Sequence, residues 1–335
     1  MIIEKGTMGK TIVAILAGGD SPEAEVSVNG AKFIHSILNR EKYTPYLVYI
    51  KGKCWEAETE NGQRFPIDKN DFSFTSPKGK IIFEYALILI HGTPGENGLL
   101  QGYFELMKIP YSSGGVCSSA VTFDKVICKR IVAETGVALA KDILLNKGDK
   151  IDVQEIIRKL SLPLFVKPNA SGSSFGVTKV KTEAELFPAI ENAFNEDDQV
   201  LIEEFLEGTE ISCGIMIAQG KTYLFPPTEI VSKSEFFDYN AKYNGYSEEI
   251  TPARISEKAT KRVHESLLKI YKQTRCRGLV RIDFIIKNDI PYMIEVNSIP
   301  GMSSESIIPK ESKVFGLSIP DLFDIIINET ITQKC

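Results

Sequence analysis

The sequence predicts an α/β fold at its N-terminal end, with a parallel sheet, followed by an α+β region. Two observations predict this. Up to about residue 121, apolar strands alternate with helices, which is typical of a parallel sheet covered by helices. From about Lys141 onward, strands follow one another in pairs across polar loops. A chain of 335 residues is long enough for two or three domains, and we place coarse boundaries near residues 121 and 209.

The elements of the N-terminal region follow from apolar spacing. The stretch TIVAILA predicts a buried strand, and the turn GGDSPEAEVS after it leads into a helix. Strands are predicted at 11–17, 46–50 and 86–90, and helices at 23–38 and 99–107. The short polar and aromatic pieces of 51–83 show no clear period, so no element is predicted there.

Beyond residue 121 the order of the predicted helices and strands changes. Helices are predicted at 122–134, 152–160, 182–194, 256–274 and 318–327. Strands are predicted at 164–168, 176–180, 199–204, 211–218, 280–286 and 291–296. We expect the first two of these strands to pair with each other, and the next two likewise.

Composition excludes several classes of protein. The hydrophobic fraction is 43%, the charged fraction 25% and the formal net charge −5, so nucleic acid and anionic membranes are poor partners. No stretch approaches the roughly 18 apolar residues that span a bilayer, and the N-terminus does not read as a signal peptide. The six cysteines are scattered without a C-x-x-C pair. We therefore expect a cytoplasmic protein with free thiols.

Two nucleotide-binding motifs can be set aside. GTMGKT near the N-terminus precedes a predicted strand, whereas a P-loop follows a strand. A P-loop also needs a glycine five positions before the glycine of its GK[ST] end, here Gly9, and that position is Glu4. The turn after the first strand lacks G-x-G-x-x-G, which argues against a nicotinamide-binding Rossmann domain.

The loop in LFVKPNASGSSFGVTKV (164–180) has the composition of an anion site. Gly172 and Gly176 allow close approach of the backbone, Ser173 and Ser174 add hydroxyl donors, and Lys167 places a cation at the entrance. Consecutive backbone N–H groups in such a loop can form a concave nest for a phosphate. A flexible surface hairpin is the alternative.

The hairpin RIDFIIKNDIPYMIEVN predicts a cation site. Asp283 and Glu295 interrupt apolar strands that a short turn joins, so they are expected to lie abreast. Glu295 and Asn297 share one face of their strand, and Arg281 shares a face with Asp283. Two carboxylates and an amide oxygen suit Mg²⁺, and without a nearby His or Cys they do not suit zinc. An exposed acidic hairpin is the alternative. The arginine would stabilise charge on a transferring phosphoryl group.

Eight segments together carry a family resemblance. They are AGGDSPEAEVS, HGTPGENGLLQG, DKVICKR, VKPNASGSSFGV, LIEEFLEGTE, FFDYNAKY, GLVRIDFII and IEVNSIPGMSSESIIP. In this order, from about residue 11 to 327, the chain resembles the D-alanine–D-alanine ligases of the ATP-grasp superfamily.

The resemblance implies a three-domain ATP-grasp fold. It comprises an N-terminal substrate domain (1–121), a central domain (122–209) and a C-terminal catalytic domain (210–335). ATP would bind between the last two domains with two Mg²⁺ ions, for which Mn²⁺ can substitute. The implied reaction joins two D-alanines into the dipeptide precursor of peptidoglycan, and the family is commonly homodimeric.

The resemblance also implies residue roles. On the nucleotide side, it assigns Lys125, Lys167 and Lys242 to the phosphates, Glu203, Glu204, Phe205 and Leu206 to the adenine, and Glu210 to the ribose. As a hydroxyl donor of the anion loop, Ser174 is also expected to bind the nucleotide. The metal ligands would be Asp283, Glu295 and Asn297. On the amino-acid side, it assigns Glu23 to the ammonium of the first D-alanine, and Ser173 and Tyr243 to hydrogen bonds with Glu23. It assigns Arg281 and the Gly301 N–H to an oxyanion site. Ser306 would contact the carboxylate of the second D-alanine, and His91 would lie near the substrates.

Some positions depart from the family and some alternatives stay open. Ala170 and Ser171 stand where relatives often carry larger or acidic residues, and Glu305 stands where some relatives have His. Tyr243 in AKY favours D-alanine as the second substrate over D-lactate or D-serine. A different carboxylate–amine ligase and a non-catalytic nucleotide-binding module are further alternatives. The glycine-serine loop and the segment 232–251 are the expected lids over a hydrolysis-prone acyl phosphate.

Overall fold

A computed structural model describes residues 9–170, 172, 175–232 and 247–332. Its strands form three sheets, and the helices pack on the faces of these sheets. Within these ranges, no helix combines the length and apolar character needed to cross a membrane.

The first sheet contains the predicted parallel strands. Its strands are β1 (Thr11–Gly18), β2 (Tyr43–Lys51), β3 (Cys54–Glu58), β4 (Arg64–Asp68), β5 (Ser73–Ser76), β6 (Gly79–Ile82) and β7 (Tyr85–Ile88). The spatial order is β6-β5-β4-β3-β2-β1-β7. β1 pairs in parallel with β2 and β7, as predicted, whereas β2 to β6 form an antiparallel extension. The stretch 51–83 therefore supplies four short strands that the sequence pattern did not reveal.

Helices cover both faces of this first sheet. The helices are α1 (Ala24–Ile37) and α2 (Leu99–Met107). Alternate residues of β1 are buried in two different cores: Ile15 belongs to the core that contains α1, and Leu16 to the core that contains α2. Burial on both faces explains why this strand is one continuous apolar run.

The second sheet is antiparallel and small. Its strands are β9 (Asp142–Asn146), β10 (Leu164–Pro168), β11 (Thr178–Val180) and β12 (Gln199–Glu204), in the order β11-β10-β12-β9. Helices α5 (Val153–Leu160) and α6 (Glu183–Phe194) share its apolar core. β10 pairs with β11 as predicted. The predicted pairing of 199–204 with 211–218 is wrong, because β9 and β10 occupy both edges of β12 and the chain then crosses into the third sheet.

The third sheet carries the carboxylate hairpin. Its strands are β8 (Ala138–Leu139), β13 (Thr209–Ala218), β14 (Lys221–Leu224), β15 (Thr228–Ser232), β16 (Ser247–Ile250), β17 (Gly278–Lys287) and β18 (Ile290–Asn297). The order is β16-β15-β13-β17-β18-β8, with β14 also on β13. The remaining helices are α3 (Val116–Phe123), α4 (Lys125–Ala133), α7 (Glu257–Gln273), α8 (Ile307–Phe315) and α9 (Ile319–Thr332).

Two helix predictions need correction. The helix predicted at 122–134 is interrupted at Asp124, which has extended backbone and caps α4 by accepting a hydrogen bond from the Ile127 N–H. Helix α8 was not predicted, because the preceding GMSSES has the composition of a loop. Its Pro309 lies in the first turn, where a missing N–H costs no helical hydrogen bond.

Candidate active site

One cleft of about 830 Å³ gathers the predicted site residues that the structure describes. Those lining it are Glu23, His91, Lys125, Lys167, Glu203, Glu204, Phe205, Leu206, Glu210, Arg281, Asp283, Glu295, Asn297, Gly301 and Ser306. They come from all three sheets and from helices α1, α4 and α8 or the loops before them. The predictions for Ser173, Ser174, Lys242 and Tyr243, and the departure at Ser171, lie outside the described residues.

The carboxylate hairpin has the predicted register. Asp283 on β17 pairs directly with Glu295 on β18, and Arg281 pairs with Asn297. The Arg281 guanidinium donates to both oxygens of Asp283 at 2.9 Å, and the Asn297 amide nitrogen donates to Oδ2 at 3.0 Å. Ser212 on β13, which the sequence analysis did not single out, donates to Asp283 Oδ1 at 2.6 Å. Asp283 is thus oriented by three neighbours before any ligand binds.

Arg281 is a fixed cation at the floor of the cleft. Burial favours its neutral form, but Asp283 outweighs that effect, so the pKa of Arg281 is raised. The side chain therefore stays charged across the ordinary pH range. A largely buried guanidinium already held by a carboxylate needs little reorganisation to stabilise an oxyanion or phosphoryl oxygen.

Helix α4 directs a second cation at the hairpin. Its first residue, Lys125, places Nζ 3.8 Å from Glu295 Oε2. The start of α4 is fastened to the base of the glycine-serine loop, because the buried Asn169 accepts a hydrogen bond from the Val126 N–H at 2.9 Å. Asn169 also donates to Gln199, the first residue of β12. The sequence analysis passed over Asn169, although it lies directly after the Lys-Pro pair.

A third cation, Lys167, lies on β10. Its ammonium contacts the carboxylate of Glu203 on β12, and both side chains are nearly buried. Burial tends to raise the pKa of Glu203, but Lys167 and Lys129 outweigh burial, so the pKa is lowered and Glu203 is ionised. Lys129, one turn after Lys125 on α4, had no predicted role.

The connection from β12 to β13 forms the opposite wall of the cleft. Glu204 receives a hydrogen bond from the Lys141 N–H at 2.9 Å. The ring of Phe205 packs on Phe165 and carries Lys179 over its face at 3.9 Å. Leu206 is buried, and Glu210 follows on β13. An apolar, aromatic wall that ends in a carboxylate suits a purine and the hydroxyls of its sugar.

Glu23 lies at the N-cap position of α1 and faces the glycine-serine loop. A Cβ added at Gly172 would lie 2.9 Å from Glu23 Oε2. The loop backbone therefore approaches this carboxylate closely, and any larger residue at position 172 would require the Glu23 carboxylate to shift. This contact places the described part of the loop above the N-terminal side of the cleft.

Two side chains of the HGTPGENG segment hold the backbone of Ile299, which lies in the loop between β18 and α8. His91 Nδ1 lies 2.9 Å from the Ile299 carbonyl oxygen, and Glu96 accepts a hydrogen bond from the Ile299 N–H at 3.1 Å. Burial raises the pKa of Glu96, although the nearby His91 opposes the shift. The clamp fixes the loop two residues before Gly301. Glu96 was another residue that the sequence analysis did not single out.

The N-terminus of α8 completes the cleft. Ser306 is its N-cap residue, and its hydroxyl accepts a hydrogen bond from the Ser303 N–H at 3.0 Å. Free N–H groups at a helix N-terminus favour a carboxylate. Glu305, next to Ser306, lines the cleft but is exposed to solvent.

The fold and the cleft define a class. A small antiparallel sheet bearing lysines faces a larger sheet bearing carboxylates, and an α/β domain closes the third side. This is the architecture of the ATP-grasp enzymes.

Comparisons with known proteins narrow the class to a family. The family models described as D-ala D-ala ligase N-terminus and C-terminus match residues 12–114 and 131–328. A D-alanine–D-alanine ligase of Phocaeicola vulgatus is 49% identical over 322 residues, covering 96% of this chain and 99% of the relative. The chain belongs to the D-alanine–D-alanine ligase family.

Solved structures agree with the family. The D-Ala:D-Ser ligase VanG of Enterococcus faecalis is 32% identical with a TM-score of 0.86, over 96% of this chain and 99% of that one. A D-alanine–D-alanine ligase of Bacillus anthracis complexed with ATP is 29% identical with a TM-score of 0.78, over 97% and 98% of the two chains.

Proposed function

We propose that the protein joins two D-alanines into D-alanyl-D-alanine, with cleavage of ATP to ADP and phosphate, for peptidoglycan synthesis. The observation that carries this proposal is the near-complete match to curated D-alanine–D-alanine ligases, such as the relative 49% identical over 96% of the chain. The gathering of the predicted residues in one cleft supports it.

In the first step, the carboxylate of the first D-alanine attacks the γ-phosphorus of ATP, the bond from that phosphorus to the bridging oxygen breaks, and an acyl phosphate and ADP form. We propose that Glu23 holds the ammonium of this substrate and that Lys125 and Lys167 hold the ATP phosphates, joined by Ser174 and Lys242. The wall formed by Glu203, Glu204, Phe205 and Leu206 would hold the adenine, and Glu210 the ribose. Positioning and charge neutralisation carry most of the catalysis in such a transfer.

In the second step, the amine of the second D-alanine attacks the acyl carbon, and phosphate leaves from a tetrahedral intermediate. We propose that Ser306 and the N-terminus of α8 bind the carboxylate of this substrate. Arg281 and the Gly301 N–H would stabilise the oxyanion, and the clamp on Ile299 would hold Gly301 in place. His91 acts in this proposal through that clamp as well as by lining the cleft.

The residues at the hairpin fit a hard cation. Asp283, Glu295 and Asn297 supply oxygen ligands. The Asn297 amide now donates a hydrogen bond to Asp283, and a bound cation would take the place of that hydrogen bond. Across the described residues, no cluster of three or more His, Cys, Asp or Glu side chains is arranged to hold a metal. We propose that ATP phosphates complete the coordination of two Mg²⁺ ions, or of Mn²⁺ in their place. Such ions would neutralise phosphate charge during transfer.

The remaining assignments are also proposals. The domains would run over 1–121, 122–209 and 210–335. We place the enzyme in the cytoplasm, where ATP is available, and the cysteines described by the structure are free thiols, as expected there. A homodimer stays a prediction that light scattering can test, and so does the lack of nucleic-acid or membrane partners.

The activity is tested by phosphate release from ATP and Mg²⁺ with D-alanine, L-alanine or D-lactate as the amino-acid substrate. We expect release with D-alanine alone, at a rate matching dipeptide formation. Release without any amino acid, or with L-alanine equally well, would show that the chain is a different ligase or an ATPase.

A further inference from the structure

Lys129 is a buried lysine that the reaction described above does not use. Its side chain is only 1% exposed. The ammonium contacts Glu203 Oε1, Asp142 Oδ1 at 3.0 Å and the Ala140 carbonyl oxygen at 3.0 Å. These three acceptors match the three protons of an ammonium group. Lys129 therefore has a complete set of partners inside the protein and is not available to a ligand.

The two carboxylates that Lys129 contacts face each other. Asp142 on β9 and Glu203 on β12 are direct cross-strand partners. Like charges in that position repel, and burial strengthens the repulsion because the effective dielectric constant is low. The ammonium of Lys129 bridges both carboxylates and removes this repulsion. Arg130 donates to both oxygens of Asp142.

Glu203 thus stands between two lysines with different surroundings. Lys129 approaches Oε1 from helix α4, and Lys167 approaches Oε2 from β10. Only Lys167 lines the cleft. The whole cluster holds three cations (Lys129, Arg130 and Lys167) and two anions (Asp142 and Glu203), so its net charge is +1 and it becomes neutral when Lys167 leaves.

We propose that Lys129 is a positioning residue for the nucleotide: it retains the charge of Glu203 so that Lys167 can turn from Glu203 to a phosphate. The proposal rests on the proposed function, because it assumes that Lys167 binds ATP. Without Lys129, Glu203 would be a buried carboxylate with Lys167 as its remaining cation. Separating that pair leaves an uncompensated buried charge, which is costly.

The experiment compares the affinities of ATP and adenosine, measured calorimetrically with Mg²⁺ and without D-alanine. Adenosine has no phosphate and does not need Lys167. In Lys129→Met, we expect ATP to lose at least about tenfold in affinity while adenosine changes less than about threefold. The matched control is Lys147→Met, which removes an exposed lysine of the same domain that pairs with Asp198. This control should leave both affinities unchanged.

Second-site variants separate positioning from a merely structural role. In Lys129→Met/Glu203→Gln, the stranded charge is gone, so the ratio of ATP to adenosine affinity should recover to within about threefold of the unmodified protein. In Glu203→Gln alone, the ratio of ATP to adenosine affinity should be at least as high as in the unmodified protein. This measurement can be made even if Lys129→Met does not fold. Equal losses of ATP and adenosine, a double variant that does not recover, or a lowered ratio in Glu203→Gln would each overturn the proposal. An unmodified protein that binds ATP but makes no dipeptide would overturn the proposed function and leave this test standing.

Discussion

Asp283 and Glu295 lie directly opposite each other on β17 and β18, and the ladder shifts register immediately after this pair. Two carboxylates in that position repel unless cations lie near them. Arg281 and Lys125 supply part of that compensation. The pair is nevertheless a costly arrangement for a structural hairpin, and it is an appropriate one for a site that receives a divalent cation.

The first prediction concerns the proposed cation ligand Glu295. Glu295→Gln should lower dipeptide formation by at least about a hundredfold, equivalent to about 2.7 kcal/mol of transition-state stabilisation. It should also reduce the rise in Tm that Mg²⁺ and ADP produce in the unmodified protein, because the complex binds less tightly. Asp289→Asn, in the turn of the same hairpin, is the control and should behave as the unmodified protein. Near-normal turnover of Glu295→Gln at low Mg²⁺ would show that Glu295 is not a ligand.

The second prediction concerns the contact of Gly172 with Glu23. A methyl group at position 172 would lie 2.9 Å from Glu23 Oε2, so Gly172→Ala should displace that carboxylate. We expect the KM for D-alanine to rise about tenfold, since a hydrogen bond to a charged group is worth about 1.5–3 kcal/mol. The Kd for ATP should change little. Gly102→Ala is the control, because a Cβ there meets its nearest neighbour at an ordinary 3.8 Å. An unchanged KM would mean that the loop moves away from Glu23 when substrate binds.

The third prediction is a pH dependence of stability from Glu203. Burial tends to raise its pKa, but Lys167 and Lys129 lower it overall. A carboxyl group with a lowered folded-state pKa stabilises the protein above its unfolded pKa of about 4.3, and this contribution disappears as pH falls through the folded pKa. Glu203→Gln should therefore have a lower Tm than the unmodified protein at pH 7. The difference should narrow below about pH 4.3. A difference that does not depend on pH would show that the lost contacts are not ionic.

The fourth prediction concerns Glu311, a fully buried acid on α8 behind Arg281. It accepts a hydrogen bond from the Gly214 N–H at 2.9 Å and contacts the Thr228 hydroxyl at 3.1 Å. Burial raises its pKa well above the usual range, so its protonated form is favoured in the folded protein. Glu311→Gln should nearly retain stability, whereas Glu311→Ala should cost about 2 to 4 kcal/mol through a cavity and an unsatisfied N–H group.

The same acid predicts a pH effect of the opposite sign. A raised folded-state pKa makes the unmodified protein lose stability as pH rises from about 4.3 toward that pKa. Glu311→Gln lacks this loss, so its unfolding free energy should improve relative to the unmodified protein over that interval. Denaturant unfolding at several pH values measures the difference. A constant difference would mean that Glu311 is ionised throughout.

The carboxylate hairpin was predictable from sequence because its geometry is local. A spacing of twelve residues across a short turn predicts that Asp283 and Glu295 lie abreast, and a spacing of two predicts that Glu295 and Asn297 share a face. The register shift between Asp283 and Phe284, which the spacing does not predict, puts the two carboxylates directly opposite each other. The parallel strands β1, β2 and β7 were predictable for a related reason, since buried strands are continuous apolar runs.

The missed features depend on tertiary structure. The partners of β12 are set by strands distant in sequence, and the four or five residues of each strand from β3 to β6 are too few for a clear period. Lys129 and Glu311 look like surface residues in the sequence. Only the contacts of the Lys129 side chain with β9 and β12, and the packing of α8 on the third sheet, show that they are buried. Lys129 follows Lys125 by one helical turn, and that spacing was the one available signal for it.

The choice of second substrate shows in the product formed when D-alanine, D-serine and D-lactate compete as the second substrate with ATP and Mg²⁺. Mass spectrometry of the reaction identifies each dipeptide and depsipeptide. We expect D-alanyl-D-alanine to dominate, with one ADP and one phosphate formed per dipeptide. A predominance of D-alanyl-D-serine or D-alanyl-D-lactate would keep the fold and the chemistry but contradict the assigned second substrate. ATP cleavage without any ligated product would contradict the assignment as a ligase.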